Sequence, residues 1–309
     1  MLASADLLVA SSQAAMDRLG PILGLYEPRG VWRQVWPRWG FDARWCRVNL
    51  DVALAPTHVE IIAPFGEPDS HLSHPFMAEI FRGQANRQYK THSTPVAIDD
   101  MDAMVTRLAA AKARFRVDEP AEELPFPRIW LGRNHDDPGA YDPGADGGLY
   151  LEFVPAASFG FPVPTDDHVP RPRDDDHPVV RVTKRTMLVH DIEGTLRALE
   201  RSTGWSPADP IVRDAGVKRV ALTFAHPRSA LLEVVQPTDP STPAGDYLAT
   251  WGPGPYGISV EVEDLDRTID RLAALGLTPT VHEGRDSVDI RPDHSQTLGV
   301  QLEFQVRPS

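Results

Sequence analysis

Apolar residues along this chain alternate in short runs, then recur at helical spacing, and the succession repeats. It is clearest near the C-terminus. Ile258, Val260 and Val262 alternate with Gly257, Ser259 and Glu261, the period-two pattern of a strand with one buried face. Asp264 follows as an N-cap, able to accept from the free N–H groups of a first helical turn. Leu265, Ile269, Leu272 and Ala273 then fall on one helical face, and Gly276 is placed to stop the helix. Residues 278–282 and 287–291 are predicted short strands with Glu283-Gly284 turning between them. Val300, Leu302 and Phe304 form the apolar face of a last strand, while Gln301, Glu303 and Gln305 point the other way. This βαβββ unit covers one sheet face with its helix. The other face is left to be covered or to line a cavity.

Looser copies account for most of the remaining sequence. The first has a strand at residues 6–10 and a helix from Ser12 carrying Ala15, Met16, Leu19 and Leu23, which Pro21 is expected to bend or end. Strands are predicted where Val48, Leu50 and Val52 alternate, and over 57–64. After a connecting arm with a short helix near 76–81, the second copy has a strand at 94–98, a helix capped by Asp99-Asp100, and strands at 129–131 and 148–154. The third has a strand over 179–189, a helix capped by Asp191, alternation at Val220, Leu222 and Phe224, and a strand over 231–235. Residues 236–244 read as a Pro-rich turn leading to the fourth copy.

The repeat is in register at two points. Helices start at Ile98-Asp99-Asp100-Met101, Val189-His190-Asp191-Ile192 and Val262-Glu263-Asp264-Leu265. Closing strands recur as Val59-Glu60-Ile61, Leu151-Glu152-Phe153, Leu232-Glu233-Val234 and Leu302-Glu303-Phe304. These glutamates lie about 70 to 90 residues apart, too far for a solenoid and right for folded half-domains. The expected fold class is α+β: two modules in an N-terminal domain, residues 1–155, and two in a C-terminal domain, residues 179–309. The Pro- and Asp-rich stretch 156–178 is expected to link them.

Composition narrows the classes. A net charge of −13 disfavours nucleic acid and anionic membranes as partners, since both need a basic surface. Cys46 is the single cysteine, so no intrachain disulfide forms, and a reducing cytoplasm is the expected location. Neither a signal-peptide pattern at the start nor an apolar run of about 20 residues is seen. Phosphate loops, dinucleotide fingerprints, nucleophile elbows, HExxH and CxxC are absent too.

The strand ending in V-x-D-h, the amphipathic helix and the closing h-E-h strand, four times over, resemble the vicinal oxygen chelate superfamily of glyoxalases, bleomycin resistance proteins and extradiol dioxygenases. Pro64-Phe65-Gly66-Glu67-Pro68-Asp69-Ser70 with 96–100, and Arg291-Pro292-Asp293-His294-Ser295 with 299–303, look most like its methylmalonyl-CoA epimerase branch. The resemblance implies two glyoxalase-like domains, each a U-shaped sheet around a cavity. It also implies a divalent metal held by first-strand and last-strand residues. The last-strand positions are Glu60, Glu152, Glu233 and Glu303; the first-strand positions, commonly histidine, are Ser4, Ser93, Lys184 and Gly257. None of these four is a good ligand for a catalytic divalent ion.

Two histidines keep a metal open in the N-terminal domain. His58 shares a strand face with Glu60, and His92 serves if a bulge or a register change turns it inward. The candidate ligands are His58, Glu60, His92 and Glu152, with no metal expected in the C-terminal domain. Glu60 and Glu152 are the candidate catalytic carboxylates, because a facing pair raises one carboxyl pKa towards that of a general base. His58, Trp32, Trp39, Tyr150, Lys184 and Glu303 are candidate substrate contacts, and Lys184 is also expected to form an ion pair with Glu233 and Glu303. Solvated strand faces, a tryptophan cover over the sheet or a subunit interface, and a charged linker are the plainer readings of the same residues. His71 and His74, with Pro75 next and no third ligand, read as a loop.

Two functions follow. One is a lyase or isomerase acting on a small carbonyl or carboxylate substrate in the N-terminal domain. The other is a metal-free binding or sequestration protein for an apolar or aromatic ligand. A small molecule is the expected partner in both, and the resemblance leaves room for a homodimer.

Overall fold

Each module begins with a strand that pairs in parallel with its own closing strand, which is how a single helix comes to cover one face of four strands. The computed structural model describes residues 1–27, 34–36, 41–65, 75–120, 125–134, 140–159, 162–165, 167–169, 177–281, 287–290 and 294–306. The first module is β1 (Ser4–Leu8), α1 (Ser12–Leu23), β2 (Gln34–Trp36), β3 (Phe41–Cys46) and β4 (His58–Pro64). Helix α2 (Pro75–Gly83) leads to the second: β5 (Thr94–Ile98), α3 (Met101–Ala110), β6 (Phe115–Asp118), β7 (Arg128–Leu131) and β8 (Leu151–Pro155). The third is β9 (Val179–Leu188), α4 (Ile192–Thr203), β10 (Val212–Asp214), β11 (Val217–Leu222) and β12 (Leu231–Pro237). After α5 (Pro243–Trp251) comes the fourth: β13 (Gly254–Val262), α6 (Leu265–Ala274), β14 (Pro279–Val281), β15 (Ser287–Ile290), α7 (His294–Thr297) and β16 (Gln301–Val306).

The aspartates marking the helix starts act as expected. Asp100, Asp191 and Asp264 accept from the backbone N–H of Ala103, Gly194 and Arg267. Three local details differ from, or add to, what the pattern predicts. Residues 48–52 form no strand, because the Asp51 carboxylate accepts from Ala53 N and Leu54 N and folds the chain into a turn; β3 lies just before it. Pro21 stays within α1, which runs on to Leu23. The Pro-rich stretch after β12 turns as expected as far as Thr242. A helix that the pattern did not predict, α5, starts at its end, because Thr242 caps it and Pro243 stands at its first position, where a missing N–H costs nothing.

In the C-terminal half all eight strands form one sheet, ordered β10-β11-β12-β9-β13-β16-β15-β14, with β9 and β13 antiparallel at its centre. The N-terminal half repeats the order as two four-stranded sheets, β2-β3-β4-β1 and β5-β8-β7-β6, joined by isolated bridges Leu2↔Val96 and Leu8↔Lys90. Between the bridges the central ladder is open.

Alternation decides which face each residue takes. Val59 and Ile61, Leu151 and Phe153, Leu232 and Val234, and Leu302 and Phe304 enter a single hydrophobic cluster with residues of α1, α3, α4 and α6. Both halves therefore share one core, made of their helix-bearing faces. The glutamate between each apolar pair points to the opposite face.

Candidate functional site

The open seam between β1 and β5 holds a cluster of buried charge. Asp6, in the middle of β1, is fully buried, and its register partner on β4 is Glu60. Residues 91–93 lie just before β5 and outside strand geometry, so they wrap around the Asp6 carboxylate. Its Oδ1 accepts from the Thr91 hydroxyl and from His92 N at 3.1 Å, and its Oδ2 meets His92 Nδ1. The other imidazole nitrogen, Nε2, faces the glutamates: it is 3.2 Å from Ser93 Oγ and 3.8 Å from Glu152 Oε2. Ser93 Oγ donates to Glu152 Oε2 at 2.7 Å, and Ser4 Oγ lies 3.4 Å from Glu60 Oε2. His92, Glu60 and Glu152 are all buried.

Burial shapes the titration of this group. Loss of water pushes the Glu60 carboxyl up to about 8; nearby Asp6 and Glu152 push the same way, and His92 opposes them. Burial disfavours an imidazolium at His92, yet the Asp6 carboxylate, with Glu60 and Glu152 behind it, holds that pKa up to about 9. At neutral pH Glu60 therefore retains a proton, and His92 is an imidazolium backed by Asp6. The cluster sets the Asp6 and Glu152 carboxylates and the protonated Glu60 against His92 and the fully buried Arg185 of β9. Arg185 Nη2 donates to Thr91 Oγ1 at 2.7 Å and lies 3.9 Å from Asp6 Oδ1.

A divalent ion would replace the protons that Glu60 and His92 now carry. Donor atoms of Asp6, Glu60 and His92 lie within 4.8 Å of one another, and two carboxylates with one imidazole suit zinc, manganese or iron. The residues fit such an ion. His92 reaches this group through the irregular backbone of residues 91–93, with neither a bulge nor a register change in the pairing of β5 with β8. His58 does not join them: Arg47 Nε donates to its Nε2 at 3.2 Å, and burial with that guanidinium lowers its pKa to about 3. A nitrogen already facing a guanidinium is a poor metal donor, and it is Asp6, not His58, that stands with Glu60 and His92 in this group. Asp6 was legible only as a charge inside an otherwise apolar strand.

The other sequence candidates are dispersed. Two tryptophans that are not among them share the glutamate face: Trp45 on β3 is opposite Glu60 and Trp130 on β7 is opposite Glu152, and the Trp130 ring centroid is 5.8 Å from that of His92. Trp32 and Trp39 lie outside the described residues, as do His71 and His74. Tyr150 stacks on Tyr141 with centroids 4.3 Å apart. In the C-terminal half, Lys184 Nζ lies 3.2 Å from both Glu233 and Glu303, the ion pair expected there, and Ser259 Oγ donates to Glu303 at 2.6 Å. Gly257 has no room for a ligand side chain, since a Cβ there would meet Gln301 O at 2.8 Å.

Residues 186–291 match the family described as Glyoxalase/Bleomycin resistance protein/Dioxygenase superfamily. A triple mutant of 4-hydroxymandelate synthase from Streptomyces coelicolor shares the fold along the whole chain: TM-score 0.63 and 14% identity, covering 100% of this chain and 92% of that one. Methylmalonyl-CoA epimerase from Mycobacterium tuberculosis matches 44% of this chain and 94% of its own at 21% identity, with a TM-score of 0.37. No curated protein matches the sequence significantly. Among the described residues no helix is long and apolar enough to cross a membrane.

Proposed function

Taking as premise that this chain belongs, by fold, to the vicinal oxygen chelate superfamily, we propose that its N-terminal domain is a proton-transfer site of lyase or isomerase type acting on a small carbonyl or carboxylate compound. The observation that carries this reading is the pairing of Glu60, pushed up to about 8, with a His92 imidazolium held by Asp6 in the same buried seam. A carboxyl near 8 is matched to moving a proton at neutral pH: its anion is basic enough to take one from carbon next to a carbonyl, and its acid form gives it back. The cationic His92 is placed to stabilise the oxygen on which charge develops, through its Nε2–H. Glu152, fixed by Ser93 Oγ, orients that imidazole and is the second proton acceptor on the same face.

Asp6, Glu60 and His92 are also the residues that would hold a divalent ion. When bound, such an ion supplies Lewis acidity towards a carbonyl or carboxylate oxygen and takes over the charge compensation otherwise given by the Glu60 proton. Either way this chain's residues bind, orient and exchange a proton in a site closed to bulk water.

Hydrogen–deuterium exchange at carbon tests this across whole classes of compound at once. Full-length protein is incubated in D2O with a panel of 2-oxo acids, 1,3-dicarbonyl compounds and 2-carboxyacyl thioesters, without and with added Zn2+ or Mn2+, and deuterium incorporation next to the carbonyl is followed by NMR. The expected result is exchange for at least one class, slowed by about 100-fold or more in Glu60→Gln and Glu152→Gln, the lower end of what a positioned acid–base group contributes. Exchange that is equally fast in both variants would sink the assignment.

A further inference from the structure

The second half of the molecule contains a feature that the N-terminal reading leaves unused. On the glutamate-bearing face of its sheet lies a cavity of about 590 Å3, within the roughly 300–1,000 Å3 typical of small-molecule sites. One wall is aromatic: Tyr247 and Trp251 come from α5 and Tyr256 from β13, with the two tyrosine rings edge to face at 5.0 Å. The charges are unevenly divided. Among the described lining residues, Lys184 and Arg219 are the cations, facing the carboxylates of Asp214, Glu233, Asp246 and Glu303.

Both cations are engaged with that acidic lining. The Lys184 ammonium spans Glu233 and Glu303 at 3.2 Å each, and Arg219 lies 3.7 Å from Asp214. An anion entering here would meet a negative field with its two cations already compensated. A cation would meet the excess carboxylate, and a flat apolar body would have the three rings to lie against. Thr186 Oγ1, donating to Glu233 at 3.1 Å, and Ser259 Oγ, donating to Glu303 at 2.6 Å, tether the two carboxylates independently of Lys184.

We propose that this cavity is a second ligand site, distinct from the N-terminal cluster, which takes a small organic monocation: an amine on an aromatic or otherwise flat body. The Lys184 ammonium is its internal counterpart, occupying the position between the glutamates that the ligand's charged end approaches.

Calorimetric titration of the full-length protein with tryptamine, tryptophol and indole-3-acetate tests this, since the three share one ring system and carry a positive, a neutral and a negative tail. Tryptamine is expected to bind about tenfold more tightly than tryptophol, as one favourable charge contact allows, with indole-3-acetate weakest. Asp246→Asn, on the exposed side of α5, should weaken tryptamine about threefold and leave tryptophol unchanged. Lys184→Met leaves the tethered glutamates without their ammonium and should tighten tryptamine about tenfold. If Lys184→Met does not fold, the three-ligand comparison and Asp246→Asn decide alone. Tightest binding of indole-3-acetate, loss of tryptamine binding in Lys184→Met, or no binding of any of the three below millimolar concentration overturns the proposal. None of these readouts depends on the N-terminal acid–base reading.

Discussion

At the residue scale, two histidines in the N-terminal half take opposite protonation states because their neighbours differ. His92 is raised to about 9 by the Asp6 carboxylate, whereas burial and the Arg47 guanidinium hold His58 near 3. The His58 shift has a measurable consequence. Its folded pKa lies below the ordinary 6.5, so the unfolded chain binds the extra proton as pH falls, and stability present above pH 6.5 is progressively lost towards pH 3. Between pH 6.5 and 5 this loss is on the order of 2 kcal/mol. Glu60 and His92, whose folded pKa values are raised, gain stability over the same range and oppose this loss in the wild type. The His58 share is therefore read as a difference: in urea denaturation at pH 7 and pH 5, His58→Gln should change by about 2 kcal/mol more in favour of the folded state than the wild type does. The same change in the two proteins would remove His58 from the account. Sequence alone placed His58 and Glu60 on one strand face correctly, yet it could not see Arg47, which comes from the turn after β3 and takes the imidazole.

At the scale of elements, helices and closing strands were legible because each carries its own periodicity and cap. Residues 91–93 and α5 were not. The first is irregular backbone whose shape is dictated by hydrogen bonds to Asp6, 85 to 86 positions away in sequence. The second begins in a stretch whose prolines signal a turn, and only Thr242 and Pro243 disclose a helix start. How α5 docks depends on Gly245, where a Cβ would lie 2.3 Å from Asp239 O and 2.8 Å from Pro240 Cα. Backbone is on the far side, so it cannot rotate away. Gly245→Ala should therefore cost about 1–3 kcal/mol in urea denaturation, the range of overpacking, although alanine is the better helix former. A stabilised variant would mean that α5 is free to shift, and with it Tyr247 and Trp251.

At the scale of the whole molecule, the two halves are joined through one core and through β9 in particular. Lys184 and Thr186 reach the C-terminal glutamates, while Arg185 between them crosses to Thr91 and Asp6 of the N-terminal seam. Replacing Arg185, which has no exposed surface, leaves Asp6 with less compensation for its buried charge. Arg185→Met is expected to destabilise the protein by about 3 kcal/mol, the lower end for breaking a buried ionic contact, as read from the urea midpoint at unchanged m-value. A loss well under 1 kcal/mol would show that Thr91 and His92 suffice for Asp6.

What the sequence by itself determined was the repeated unit: alternation, helical spacing, aspartate caps and a glutamate at the same point of every closing strand follow from local periodicity. Local periodicity also decides which face each glutamate takes, since side chains on a strand can only alternate. What only the tertiary structure decided was the partner each glutamate meets. Glu60 and Glu152 face His92 and Asp6 because the β1–β5 ladder opens and admits residues 91–93; Glu233 and Glu303 face Lys184 because the β9–β13 ladder stays closed. Those partners come from distant modules. Their approach depends on how strands pair across the repeat, and no periodicity along the chain encodes it.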